Sequence, residues 1–198
     1  MRAVMISIRP EWCRKIMSGD KTVEVRKTRP KLATPFKCYI YCTEGAGKHT
    51  LNIPVTTERL VEHLCDTGSM ISLNCPIGNG KVIGEFICDK ITWIDPGDFV
   101  VREDALRALQ GSCLSIKEAE DYAGWKKGMP LSERKGLYGW HISDLKIYDK
   151  PIALNDPDSP WFLVEGDDYT KVKRLHRPPQ SWCYVEGKTL PGGGADHE

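Results

Sequence analysis

Lys21, Glu24 and Arg26 are the residues of this chain whose types and spacing most resemble working chemistry. They stand in the pattern Gly19-x-Lys21-x-x-Glu24-x-Arg26, inside the run "KTVEVRK". An amine, a carboxylate and a guanidinium held together can bind an anion, accept hydrogen bonds from a base, or relay a proton. Strand alternation points Val23 and Val25 one way and Thr22, Glu24 and Arg26 the other, so Glu24 and Arg26 become neighbours on one face. Lys21, at the start of the run, can turn toward either side. The nearby cations Arg26 and Lys27 favour a neutral, nucleophilic amine, and Glu24 opposes them, so the sequence leaves that balance open. A Glu24–Arg26 pair on a solvated strand face would account for the same charges and would add little stability.

The elements that must position this run follow from periodicity. "AVMISI" (3–8) is an apolar run that reads as a strand buried on both faces. Pro10 suits the first turn of a helix, and Trp12, Cys13, Ile16 and Met17 form one apolar stripe on it. Gly19 ends that helix and "KTVEVRK" begins a strand. Further strands are expected at 37–44, across the whole of 81–94 with Gly84 as a bulge, at 138–149 and at 181–185. Helices are expected at 57–65, at 100–110, and at 115–123 behind a Ser115 cap. Residues 155–180 read as a loop rich in Pro, Asp and Arg, and 188–198 as a flexible tail. Strands interrupted by helices, without repeats, give an α+β fold or a decorated barrel rather than a doubly wound sheet.

Composition narrows the functional classes. The 198 residues suit one domain with elaborations, and the net charge is only +1. Residues 1–37 nevertheless hold ten Lys/Arg against three acids, a local +7 that leaves −6 for the remainder. A cationic first third suggests an anionic partner on one face. No apolar run of the length that spans a bilayer is present, and the N-terminus lacks signal-peptide features, so no membrane association is expected. The eight cysteines are irregularly spaced and imply reduced thiols and a cytoplasmic protein. Cys38 and Cys42 would lie about 13 Å apart along a strand, and no C-x-x-C occurs, so neither a metal nor a cofactor is expected. "TEGAGKHT" departs from the phosphate-loop pattern at Cys42 and His49, and no G-x-S-x-G elbow exists for a serine hydrolase. His141 has Ser143 on the same strand face and Asp144 on the other, which suits ligand contact better than general-base catalysis.

Taken in order, "SIRPEWCRKIMSGDKTVEVRKT", "GKVIGEFICDKI", "YGWHISDLKIYDKPIAL" and "RPPQSWCYV" resemble the ASCH domain family of the PUA-like superfamily, including its phage and bacterial members. The resemblance covers most of residues 1–187 as one domain, with 45–75 as an insertion. It implies a PUA-like small β-barrel decorated with helices, whose cleft is lined by the G-x-K-x-x-E-x-R residues. It further implies RNA, a nucleotide or a modified nucleoside as the ligand. Ser7 and Arg9, then Lys21, Glu24, Arg26 and Lys27, then His141 and Ser143, and finally Gln180 and Trp182 are the candidate ligand contacts. Some family members resemble enzymes: one group deacetylates acetylated cytidine nucleosides and another degrades RNA. In an enzyme Lys21 and Glu24 would be the catalytic pair, with Glu118 or Glu120 as a third member. The deacetylase group carries Thr where this chain has Glu24. A binding module is therefore favoured over a hydrolase (ribonuclease or nucleoside amidohydrolase), and a protein-interaction domain is the third reading.

Overall fold

The computed structural model describes residues 2–45, 50–55, 61, 64–65, 75–157, 159, 161–164 and 172–187. The helix expected at 57–65, much of the 45–75 insertion and the tail at 188–198 lie largely or wholly outside them. The chain forms two compact units, one drawn from the described parts of Met1–Cys13, Lys37–Glu85 and Lys146–Glu198, the other from Arg14–Phe36 and Phe86–Leu145.

The first unit is organised by a seven-stranded mixed sheet. Its order is β7 (Ser143–Ala153), β4 (Lys81–Cys88), β3 (Phe36–Cys42), β1 (Arg2–Ile8), β10 (Trp182–Gly187), β8 (Trp161–Val164) and β9 (Val172–Arg174). The apolar run of β1 takes a central place, parallel to β3 and antiparallel to β10, and residues 3–8 are all buried. That is where a strand without polar alternation belongs. Met5, Tyr41, Val82, Trp161 and Val185 form the core, with Tyr39 edge-on to Trp161 at 5.5 Å. Gly84 sits at a close approach of two strands, where a Cβ would overlap the carbonyl oxygen of Lys146.

The second unit holds a three-stranded antiparallel sheet in the order β2 (Val23–Arg26), β6 (Leu137–His141) and β5 (Ile91–Ile94). On one face Val25, Leu137 and Ile94 pack with Leu109 and Ala119. These last two come from the end of α2 (Arg102–Ala108) and from α3 (Ile116–Ala123); α1 is Pro10–Met17. The start of α3 is fixed by a capping box in which Ser115 accepts from Glu118 N and Glu118 returns the bond, and Gly124 closes it in the left-handed region. On the opposite face, register aligns Glu24 with Trp140 and Ile91, and Arg26 with Tyr138 and Trp93.

The α+β class is as expected, and three boundaries are corrected. The run 81–94 is two strands, parted at Asp89–Lys90, one in each sheet. The run 138–149 is likewise divided at Ile142, whose N–H donates to Thr22 O, and Asp144 just beyond it has a φ of 47°. Residues 155–180 contain the short strands β8 and β9, an outer pair of the large sheet, in place of an unbroken loop. No helix among the described residues is long and apolar enough to cross a membrane.

Candidate functional site

The Lys21–Glu24–Arg26 group is built by a turn, an edge strand and a distant loop. After α1, Gly19 adopts a φ of 80° and Lys21 N donates to Lys15 O at 2.9 Å, which turns the chain back into β2. The loop after α2 then clasps the start of that strand. Gly111 O accepts from Thr22 N and Val23 N at 2.8 and 3.0 Å, and the Cys113 thiol donates to Asp20 O at 3.2 Å. Gly111 has a φ of 75°, and a Cβ there would run into the Thr22 hydroxyl, so only glycine fits this crossing.

Within this clasp the three charged side chains are buried, with relative exposures of 3% for Lys21, 7% for Glu24 and 8% for Arg26. A solvated strand face is thereby overturned as the account of their spacing. Lys21 Nζ donates to Ser112 O at 2.6 Å and to Val23 O at 2.9 Å, and lies 3.3 Å from Glu24 Oε2. All three ammonium hydrogens thus have acceptors. On the other side of the carboxylate, Arg26 Nε lies 3.0 Å from Glu24 Oε1. That contact is Coulombic rather than an aligned N–H···O bond. Tyr122 of α3 joins the group. Burial raises its phenol above the ordinary range, the Arg26 guanidinium opposes that shift, and the Glu24 carboxylate adds to it. Lys27, exposed, places Nζ 5.3 Å from the Tyr122 ring centroid.

The remaining candidates fall into separate groupings. His141 Nδ1 lies 2.6 Å from Asp89 Oδ1 with both side chains nearly half exposed, and the His141 contact holds the Asp89 carboxyl below its ordinary range. Ser143 Oγ donates instead to Ile87 O at 2.9 Å. The strand break at Ile142 stands between them, so alternation does not carry across from His141 to Ser143 as the sequence suggests. Ser7, Arg9, Gln180 and Trp182 belong to the first unit. There Ser7 Oγ donates to Pro179 O at 2.6 Å and Ser7 N to Ser181 O at 2.9 Å, which joins β1 to the segment carrying Gln180 and Trp182. Arg9 and Gln180 are exposed, and Trp182 packs edge-on against Tyr184 at 5.4 Å. Glu118 serves as a helix cap: its carboxylate accepts from the Ser115 hydroxyl and N–H, which hold it below the ordinary range. Glu120 is half-buried on α3. Sequence reading missed Ser112, Cys113 and Tyr122, and only the Gly111 that follows an α-helical pattern hints at the first two.

No family model matches this chain, and no curated protein matches it. Solved structures do. ASCH from Zymomonas mobilis aligns with a TM-score of 0.51, at 19% identity, over 93% of this chain and 87% of that one. Two mutants of the same protein, one tyrosine-to-phenylalanine and one serine-to-alanine, align with TM-scores of 0.53 and 0.54 over 93% of this chain and 90% and 88% of theirs. This chain has the ASCH fold. The order of segments that resembles an ASCH domain in the sequence is thus matched by a likeness in three dimensions. In this ASCH-fold chain Glu24 touches both other motif residues, Lys21 and Arg26, and all three are buried.

Proposed function

We propose that this protein is a binding module of the ASCH fold that recognises RNA or a nucleotide through Lys21, Glu24 and Arg26. The observation that supports this reading is a cluster of two cations and one carboxylate, each at least nine-tenths buried. Burying three charges is costly, and apolar residues of similar size would stabilise a fold at least as well. The core of this sheet is already supplied by Val25, Leu137 and Ile94 on its other face. The cluster therefore makes better sense as recognition than as scaffolding. Its residues have matching roles. The Arg26 guanidinium suits a phosphate oxygen. Each Glu24 oxygen meets one cation and keeps a further lone pair for a base's exocyclic amine or a ribose hydroxyl. Exposed Lys27 adds positive charge beside the Tyr122 ring.

Direct titration of single-stranded RNA, mononucleotides and acetylated cytidine tests the reading, with product masses followed in parallel. Saturable binding that weakens about tenfold or more in a folded Glu24→Gln variant is expected, the loss of one charge-assisted hydrogen bond. Unchanged affinity in that variant would remove the cluster from recognition. The hydrolase reading rests on the 3.3 Å approach of Lys21 Nζ to Glu24 Oε2. A neutral amine would keep both bonds, to Val23 O and Ser112 O, and its lone pair would take the place of the third proton, on the side of Glu24. Products formed by the wild type and absent from both Lys21→Met and Glu24→Gln would favour hydrolysis.

A further inference from the structure

Beyond the ion cluster, the same face of the small sheet carries aromatic side chains in register with it. Antiparallel partners directly opposite one another project to one face. Arg26 of β2 faces Tyr138 of β6, which faces Trp93 of β5, so the three form a single row across the sheet. Exposure rises along the row: Arg26 is buried, Tyr138 is half-buried, and Trp93 is 49% exposed.

Trp93 is exposed and yet held in place. Its Nε1 donates to Asp95 Oδ2 at 3.1 Å, and its ring meets Tyr138 edge-on at 4.9 Å between centroids. The indole also lies so close over Gly136 that any Cβ there would overlap it. Asp95 is itself fixed by Gly97 N at 2.7 Å, in the cap of the turn that follows β5. An exposed tryptophan fixed by its edge, its nitrogen and the backbone beneath it presents an ordered π-face. One cation stands against this row, and a second lies at a neighbouring ring. The Arg29 guanidinium sits 5.9 Å from the Tyr138 centroid, and Lys27 lies beside Tyr122. From Arg26 to Lys37 the sequence contains no acid. An ordered aromatic face with a cation beside it is what a stacked base and its linking phosphate require. An apolar protein segment would have no use for Arg29 in that position.

We infer that Trp93 and Tyr138, with Arg29, form a base-stacking platform for single-stranded RNA. The inference rests on the reading of Lys21, Glu24 and Arg26 as a nucleotide-recognition cluster and deepens it: the ligand is a strand of several nucleotides, not a lone nucleotide. One base engages the cluster, and a neighbouring base stacks on the platform.

The test uses the full chain with a fluorescein-labelled, mixed-sequence RNA strand of roughly ten nucleotides, and separately with AMP and CMP. Trp93→Ala is expected to weaken strand binding about tenfold or more while leaving mononucleotide binding within about twofold, the loss of one stacked base. Trp93→Phe, which keeps a π-face, should restore most of the strand affinity. Arg29→Ala should flatten the salt dependence by about 0.7 in log–log slope, one phosphate contact on a single strand. Strand binding unchanged in Trp93→Ala would overturn the platform, and so would equal losses on strand and mononucleotides. If Trp93→Ala weakens the strand but Glu24→Gln does not, the platform stands and the cluster reading fails. A wild-type chain that binds neither strand nor mononucleotide overturns both.

Discussion

Removing the Glu24 carboxylate strikes the one anion between two buried cations, and its cost can be worked from the geometry. The carboxylate lies 3.3 Å from Lys21 Nζ and 3.0 Å from Arg26 Nε. At an effective dielectric of about 20, each contact carries about 5 kcal/mol of gross Coulomb attraction. Desolvation of the three groups offsets much of that, so the useful figure is the cost of leaving a buried charge uncompensated, about 3–5 kcal/mol. Lys21 would still donate to Ser112 O and Val23 O, which places Glu24→Ala near the lower end, at about 3 kcal/mol. For a chain of this size that corresponds to a fall in Tm of roughly 6–12 °C. Urea and thermal unfolding of Glu24→Ala measure it, and the same substitution in a Lys21→Met background separates the pairwise share. With Lys21 already gone, Glu24→Ala should cost at least about 1 kcal/mol less. A loss below about 1 kcal/mol, the level of a solvated surface pair, would refute the buried cluster. Strict additivity of the two substitutions would refute their coupling.

Three further outcomes follow from other sites. Gly84→Ala forces a methyl group against the Lys146 carbonyl and should destabilise the chain by about 1–3 kcal/mol in urea unfolding, with Gly97→Ala, which meets only the Asp95 carboxylate, as a milder comparison. Burial pushes the Glu85 carboxyl up, but the Lys37 ammonium at 2.8 Å and the Tyr148 hydroxyl at 2.7 Å outweigh it and hold the group below its ordinary value of 4.5. With its folded value depressed, the stabilisation from Glu85 is full above that ordinary value and is lost as pH falls through the folded one; Tyr148→Phe should shrink that acid-side loss in pH-dependent unfolding. Burial pushes the Cys88 and Cys183 thiols up to about 12, so alkylation of the folded chain near pH 8 should spare both and reach exposed Cys65 and Cys75 first, as peptide masses will show.

What the sequence discloses is mostly what is local. The Ser115–Glu118 cap and the turn at Gly19 are set by residues a few positions apart, and both fall where pattern places them. The pairing of Glu24 with Arg26 on one strand face follows from a period of two and holds in the structure. Its burial does not follow, because alternation separates two faces without saying what covers either. The partners of Lys21 are less visible still: Ser112 lies 91 positions away, and no local rule joins it to the motif. The breaks at Asp89–Lys90 and Ile142 are hidden for a similar reason. Both runs keep strand-forming residues throughout, and what divides each is its membership of two different sheets. The outer strands β8 and β9 are four and three residues long, too short for a periodic signal amid prolines and acids.

Register is what turns the composition of the small sheet into a direction. The edge strand β2 contributes the charged pair Glu24 and Arg26, the central strand β6 contributes Trp140 and Tyr138, and the far strand β5 contributes Ile91 and Trp93. Shifting β2 by one residue would exchange Glu24 and Arg26 for Val23 and Val25 and leave the aromatic row without a charged end. Glu24 then sets the character of that end. Lys21 and Arg26 alone would form an anion trap of charge +2, indifferent to what the phosphate carries. With the carboxylate between them the cluster carries a formal charge of only +1, and on the proposed reading the remaining carboxylate lone pairs would select for a hydrogen-bond donor. Under the proposed reading, a ligand that satisfies both would bring a donor and a negative charge at once, as an amino-bearing base on a phosphate backbone does.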